Sequence, residues 1–416
     1  MPGSPRNQLK REELMVNSKE RKMHIFLTGA TGFLGTVLLR DLLLKGHTVT
    51  VLARPKHGVS PLARIKERLS DSDANFPFDK MIGHTLYIAE QGSGKEYFGL
   101  DKKDYFKYAG MVDMIIHNAA CTQLEADWSI YEDVNIRGAR SAIDFAALTR
   151  NKLLAYTSSA YVAGTQSGRV YEDKLIVEGT FRNRYEKSKA ISENEVRQAA
   201  AGGLIKSMIF RPSIIIGSSS NGWMCQEHHF FDFIFRLSLI HKIILKQLNS
   251  FKLKVDYQFR IPGDEQATKN FVPVDYVANS IALLIEKNQA WGKTFHLTHP
   301  KPLKLKVLES YVQKALGWLE ITLCSKREIQ DLSPLEKKFF NSTKIYEKYF
   351  WEEPLFDQSN LKSVLGNDLP VPEPISQELV SQIVEFIKAK HIRRKALKMS
   401  RSRQPVAIQP TEDLSY

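Results

Sequence analysis

The segment Met23-His24-Ile25-Phe26-Leu27-Thr28-Gly29-Ala30-Thr31-Gly32-Phe33-Leu34-Gly35 runs an apolar strand into a turn with glycines at fixed offsets. A helix rich in leucine, Thr36 to Lys45, follows at once. Glycine lacks a Cβ, so the backbone can turn tightly at Gly29, approach a bound pyrophosphate at Gly32, and pack helix on strand at Gly35. The helix start adds free N–H groups and the positive end of a dipole. The cradle is therefore Thr28, Gly29, Thr31, Gly32, Phe33, Leu34 and Gly35. A second strand, Thr48 to Ala53, comes at the distance a dinucleotide fold requires and ends in Arg54. An acid at that tip would take a ribose 2′-hydroxyl, whereas arginine suits a 2′-phosphate. With Lys56 close behind, the expected cofactor is NADPH, with NADH the weaker alternative.

At 416 residues the chain has room for one large or two modest domains. The net charge of +13 is concentrated in Lys388, Lys390, Arg393, Arg394, Lys395, Lys398, Arg401 and Arg403, an acid-free run that reads as a solvated tail. No specific nucleic-acid partner is expected from it, and weak contact with an anionic membrane surface ranks lower than the tail reading. Cys121, Cys225 and Cys324 are too scattered for a disulfide framework or a metal cluster. No metal is expected. There is no apolar leader and no run of about 18 apolar residues, so the expected location is cytoplasmic, at most peripheral to a membrane.

Short apolar runs alternate with helical stretches from Met23 to Pro212, which predicts a doubly wound α/β fold on a parallel sheet. Strands are expected at 24–29, 48–53, 84–89, 112–117, 153–158 and 205–210. The expected division is a leader over 1–22 and an NADP-binding Rossmann domain over 23–222, to which 265–290 returns. A smaller, interleaved substrate-binding region takes 223–264 and 291–390, and a basic tail takes 391–416. Phe230 to Lys246 reads as an amphipathic helix, suited to a greasy acyl chain, a membrane surface or simple core packing.

Tyr185 and Lys189 stand four apart, which stacks them on one helix face. An ammonium beside a phenol would lower the tyrosine pKa and let the pair move a proton at a substrate oxygen. The preceding strand ends in Ser158-Ser159, where a hydroxyl can meet a carbonyl in the ligand crevice. Ser159 is the candidate, Ser158 its close alternative.

Thr28 to Gly35, Asn118-Ala119-Ala120, Ser159 and the Tyr185–Lys189 pair together resemble the extended short-chain dehydrogenase/reductase family over residues 23 to 390. The resemblance implies a Ser-Tyr-Lys triad and a strand end at Asn118, Ala119 and Ala120 beneath the cofactor. It also implies that Asn135 helps to hold the active-site geometry and that Pro212, Ile214 and Ile215 lie near the nicotinamide. His117 reads as a strand residue beside the cofactor. Within the family, Thr28 to Gly35, Ser159 to Val162 and Tyr185 to Ala190 look most like the fatty acyl-CoA reductase and thioester reductase branch. The loop Cys121 to Trp128 departs from that branch, and Glu90 stands where many members carry Asp near the adenine.

The expected function is NADPH-dependent reduction of an acyl thioester, on coenzyme A or an acyl carrier protein, or of a related carbonyl. A free-standing reductase is expected, since no adenylation or carrier segment precedes it here. The alternatives are a nucleotide-sugar epimerase or dehydratase, a hydroxysteroid-type dehydrogenase, and, further behind, a non-catalytic NADP-sensing protein. Family members often dimerise, which leaves the oligomeric state open.

Overall fold

A computed structural model describes residues 22–224, 229–251, 258–317 and 320–401. Seven parallel strands form the central sheet: β1 His24–Thr28, β2 Thr48–Ala53, β3 Leu86–Glu90, β4 Met114–His117, β5 Leu153–Thr157, β6 Lys206–Pro212 and β7 Thr294–Leu297. Their order across the sheet is β3-β2-β1-β4-β5-β6-β7, so the direction of winding reverses between β1 and β4. Strand ends part at such a reversal and leave a crevice. In register, Thr28 lies between Leu52 and His117, which places the glycine turn at its mouth.

The near-continuous apolar strands are explained by burial on both faces. Along β1, Ile25 and Leu27 join one core while Phe26 points into another. Helices α1 (Phe33–Leu44) and Val274–Leu284 cover the first face, and helices Lys102–Met111, Arg137–Leu148 and α2 (Arg184–Ala201) the second. A third core lies beyond the sheet, where Ile234, Leu237, Ile240 and Ile244 form an apolar stripe at helical spacing on α3 (His229–Phe251). They pack with helices Leu305–Leu316 and α4 (Gln377–Arg401) and with the parallel pair Gln258–Pro262 and Glu320–Cys324.

The structure corrects several expectations. Helix α1 begins at Phe33 rather than Thr36, with Gly32 in extended backbone as its cap. The short parallel strand pair in the third core, Gln258–Pro262 with Glu320–Cys324, was not foreseen. The boundary at 291 is moved, because β7 is an edge strand of the central sheet and Leu361, Val364 and Leu365 join its core. The basic tail does not start as irregular chain, since α4 carries the backbone as helix to Arg401. Val380, Ile383, Val384 and Ile387 pack at helical spacing, and lysine and arginine prolong a helix readily. The leader over 1–21, Cys225 and the tail beyond Arg401 lie outside the described residues. Among those described, no helix is long and apolar enough to cross a membrane.

The α1–β1 junction leaves no room for a side chain at Gly35. A Cβ on Gly35 would come within 2.1 Å of the Gly29 carbonyl oxygen, a backbone atom that cannot swing aside. Gly35→Ala is expected to cost about 1–3 kcal/mol of stability, read as a lower urea midpoint. An unchanged midpoint would show that the turn opens without strain.

Candidate active site

The glycine turn is built by backbone constraint. Gly29 holds φ +76°, and a Cβ there would meet the Ala119 amide nitrogen at 2.7 Å. The Asn118 and Ala119 amides both donate to Thr28 Oγ1 at 3.2 Å, tying the end of β4 to the end of β1. With its lone pairs so engaged, the Thr28 hydroxyl is left to donate to His117 Nδ1, 3.0 Å away. His117 is buried, and burial and then the nearby Lys189 charge push its pKa down to about 3. It stays neutral at ordinary pH, with its Nδ1 taken up by Thr28 Oγ1. Its Nε2 has no hydrogen-bond partner in the structure.

A cavity of about 980 Å³ opens at this turn. Thr28, Gly29, Thr31, Gly32, Phe33 and Leu34 line it, as do Asn118, Ala119 and Ala120, whereas Gly35 lies behind, against Gly29. Helix α1 points its N-terminus at the cavity, and its capping residue Gly32 offers no side-chain acceptor to the first amides. At the tip of β2 the exposed Arg54 and Lys56 are joined by Arg64 and Arg68, four apart on helix Pro61–Ser72. Arg64 donates to the Arg54 carbonyl at 2.5 Å and to Thr31 Oγ1 at 3.2 Å. The open glycine cradle, the helix N-terminus and the cations beside them fit the phosphates of a dinucleotide. Glu67 also lines the cavity, from the same helix.

The hydroxyl-bearing wall comes from β5 and α2. Asn183 caps α2, accepting the Glu186 amide at 3.0 Å, and this starts the helix so that Tyr185 and Lys189 face the cavity. Burial raises the Tyr185 phenol pKa, and a hydrogen bond with Ser159 pulls the other way. Lys189 donates to Tyr156 Oη at 2.8 Å and to the Thr157 carbonyl at 2.7 Å. Burial pushes the Lys189 pKa down to about 7, with Glu193 opposing. The expectation that this ammonium lowers the Tyr185 pKa is therefore corrected: Lys189 bonds a different phenol, and burial dominates at Tyr185.

The two serines divide the work. Ser158 Oγ donates to Glu193 Oε2 at 2.6 Å, inside a buried network that also takes Arg211 at 2.6 Å and Arg197 at 2.8 Å. Burial would raise the Glu193 pKa, but the Arg211 guanidinium with Arg197 holds it at about 2. Ser159 Oγ accepts the Tyr161 amide at 3.2 Å and stays beside Tyr185 on the cavity wall.

Asn135 acts through others. It lies in a π-helical turn, accepts the Cys121 amide at 2.8 Å and donates to Ser188 Oγ at 2.8 Å. Ser188 in turn donates to the Tyr185 carbonyl at 2.8 Å, so Asn135 staples the loop after β4 to the tyrosine helix. Pro212, Ile214 and Ile215 also line the cavity, where the chain leaves the sheet and Ile214–Ile216 pairs with Phe271–Pro273. Beyond them the cavity becomes an apolar chamber walled by Phe233, Ile234, Leu237, Leu308, Val312 and Phe350.

Sequence reasoning missed Tyr156, Arg64, Arg68, Glu193 and Lys269. Arg64 and Arg68 carried a usable signal, since their spacing puts both on one helix face directly after β2. The others carried none, because a buried and a solvated polar residue look alike in sequence.

Residues 27–281 match the family model described as Male sterility protein. Nonribosomal peptide synthetase asaC of Aspergillus flavus is 28% identical over 289 residues, 67% of this chain and 26% of that protein. The chain spans only 26% to 36% of the length of the first curated relatives it matches. Among solved structures, the terminal R domain from the myxalamid PKS-NRPS biosynthetic pathway superposes with a TM-score of 0.73 at 21% identity, covering 89% of this chain and 92% of that one. A thiolation-reductase di-domain from an archaeal non-ribosomal peptide synthetase gives a TM-score of 0.70 at 18% identity, covering 89% and 76% respectively. These structural likenesses bear on the fold.

The geometry separates Ser158 from Ser159. Ser159→Ala is expected to lower kcat by about 10²-fold with little change in melting temperature. Ser158→Ala should instead cost about 1–3 kcal/mol of stability while kcat changes little. The reverse pattern, read by steady-state rates and thermal melts, would exchange the two roles.

Proposed function

The chain belongs to the Male sterility protein family, within the extended short-chain dehydrogenase/reductases; from that premise we propose that it is an NAD(P)-dependent oxidoreductase that uses NADPH to reduce an acyl thioester held on coenzyme A or an acyl carrier protein. The observation that carries this reading is the continuity of one cavity. It joins the glycine turn with its neighbouring cations, the Ser159–Tyr185–Lys189 wall and an apolar chamber suited to an acyl chain.

Bound at the glycine turn, the dinucleotide would supply the hydride. Ser159 would orient the carbonyl oxygen by a hydrogen bond, and Tyr185 would give that oxygen its proton. Lys189 has three N–H donors, of which two are committed to Tyr156 and Thr157. The third is available for a ribose hydroxyl, and the positive charge favours the oxyanion as it develops. With a thioester, the tetrahedral adduct then loses its C–S bond, giving an aldehyde and a thiol. Arg54, Lys56, Arg64 and Arg68 would hold the 2′-phosphate. The kinship with a nonribosomal peptide synthetase, and the likeness in fold to an R domain and a thiolation-reductase di-domain, support a carrier-bound acyl group as substrate. The apolar chamber disfavours a nucleotide sugar, whose hydroxyls would lose their water without replacement.

Tyr185→Phe is expected to leave NADPH binding intact while turnover falls by about 10²–10⁴-fold, measured as NADPH oxidation with a panel of acyl-CoA thioesters. Unchanged turnover would remove the proposed acid. Turnover of ketones or nucleotide sugars beside silence on every thioester would overturn the substrate class. Arg64→Glu should weaken NADPH much more than NADH in a fluorescence titration. Equal loss for both would end the 2′-phosphate assignment.

A further inference from the structure

Behind the hydroxyl-bearing wall stands a buried phenol. Tyr156, on β5, has no exposed surface, and its register partner on β4 is His117. The two rings lie nearly parallel, with planes 9° apart and centroids 5.9 Å apart. His117 is itself tied to Thr28 at the glycine turn, so the phenol is braced from the sheet side.

The Tyr156 hydroxyl has its directions assigned. Ser192 on α2 donates to the Ser188 carbonyl at 2.8 Å, which leaves the Ser192 oxygen to accept. Tyr156 bonds Ser192 and therefore donates there, turning its own lone pairs to Lys189. The Lys189 ammonium donates to Tyr156 Oη at 2.8 Å and stands 4.4 Å from the ring centre. Burial pushes the phenol pKa up, so this oxygen is a neutral acceptor. The chain of hydrogen bonds ends on a backbone carbonyl, which has no proton to give. It orients rather than conducts. The Thr157 carbonyl takes a second Lys189 donor at 2.7 Å, so two consecutive residues of β5 pin the ammonium at the strand end.

We propose that Tyr156 is the positioning residue for Lys189, its hydroxyl oxygen holding the ammonium charged and at the cavity wall. This deepens the reductase reading above and rests on it. The other groups around the pair are already spoken for. Glu193, on the same helix, is held by Arg211 and Arg197; Glu195, which acts on Tyr156, is paired with Arg140. His117 is neutral, and burial keeps the Tyr185 phenol protonated. Burial has brought the Lys189 pKa down to about 7, so an acceptor that favours the charged form decides how much of it survives at working pH.

The test is the pH dependence of kcat/KM for NADPH, with octanoyl-CoA as substrate, from about pH 6 to about 9. The wild-type rate is expected to fall as pH rises through the Lys189 pKa, because the charged form does the work. Tyr156→Phe removes an acceptor that favours that form, which lowers the Lys189 pKa and moves the fall to lower pH. The variant should match wild type at the acid end and run about tenfold slower at the alkaline end. Since Tyr156→Phe also costs Ser192 a donor, Tyr156→Phe combined with Ser192→Ala gives a second variant without a stranded hydroxyl, and the same shift is expected. A flat wild-type profile, an unmoved fall in the variants, or an equal loss at every pH would each overturn the proposal, the last by making Tyr156 a packing residue only. Silence of the wild type on every thioester would instead overturn the reductase reading. The NADPH dissociation constant, titrated by fluorescence over the same range without substrate, then decides on Tyr156: a midpoint moved to lower pH supports it, and an unmoved one overturns it.

Discussion

The aim of the helix that carries Tyr185 and Lys189 depends on one buried carboxylate. Glu193 joins three elements at once: Ser158 at the end of β5, Arg211 in β6 and Arg197 one turn along α2. Glu193 and Arg211 side chains are fully buried, so neither charge can be relieved by water. Breaking such a pair from one side costs about 3–5 kcal/mol, which makes the joint nearly obligatory once the fold has formed around it. Its value is directional. An apolar face could hold α2 against the sheet yet let it turn about its axis. Paired charges fix the rotation, and with it the aim of Tyr185 and Lys189, one turn apart on the same helix.

This also accounts for an unusual feature of α2. Its buried face carries Glu186, Ser188, Lys189, Ser192 and Glu193, and each has a partner: Tyr349 for Glu186, Asn135 for Ser188, Tyr156 for Lys189, the Ser188 carbonyl for Ser192. A hydrophobicity pattern would place this helix on the surface. Low internal dielectric strengthens each satisfied bond and makes each missing one costly, so the face behaves as a unit.

What the sequence made legible follows from which forces are local. Strands β1 to β5 and helix α1 announce themselves by apolar runs and by glycines at positions where backbone meets backbone, notably Gly29 and Gly35. The spacing of Tyr185 and Lys189 is likewise local and shows that they share a face. What Lys189 bonds was not legible, since Tyr156 reaches it from a strand 33 residues earlier. Nor could Ser158 and Ser159 be told apart without Glu193. The C-terminal region hid more, because its strands Gln258–Pro262 and Glu320–Cys324 are short and find each other across some 60 residues. In α4 the lysine and arginine run that starts at Lys388 gave no sign that the helix continues to Arg401.

The charge along the cavity is graded, and the gradient fixes which way a ligand can thread it. At the β2 tip Arg54, Lys56, Arg64 and Arg68 outnumber Glu67, with Arg54 exposed, so that end suits an anion that keeps part of its hydration. At the centre a single ammonium, Lys189, stands with the hydroxyls of Ser159 and Tyr185, and burial has already loosened its proton. Further in, Lys269 is matched by Glu353, and the walls are aliphatic and aromatic. A molecule lying the other way would bring phosphates against Glu353 and leave the arginines facing a greasy chain. Both mismatches cost desolvation without a compensating partner. On the proposed reading, the cofactor and an acyl group would meet at Tyr185 from one pair of directions, with the reacting carbon between the hydroxyls and the open face of the glycine turn.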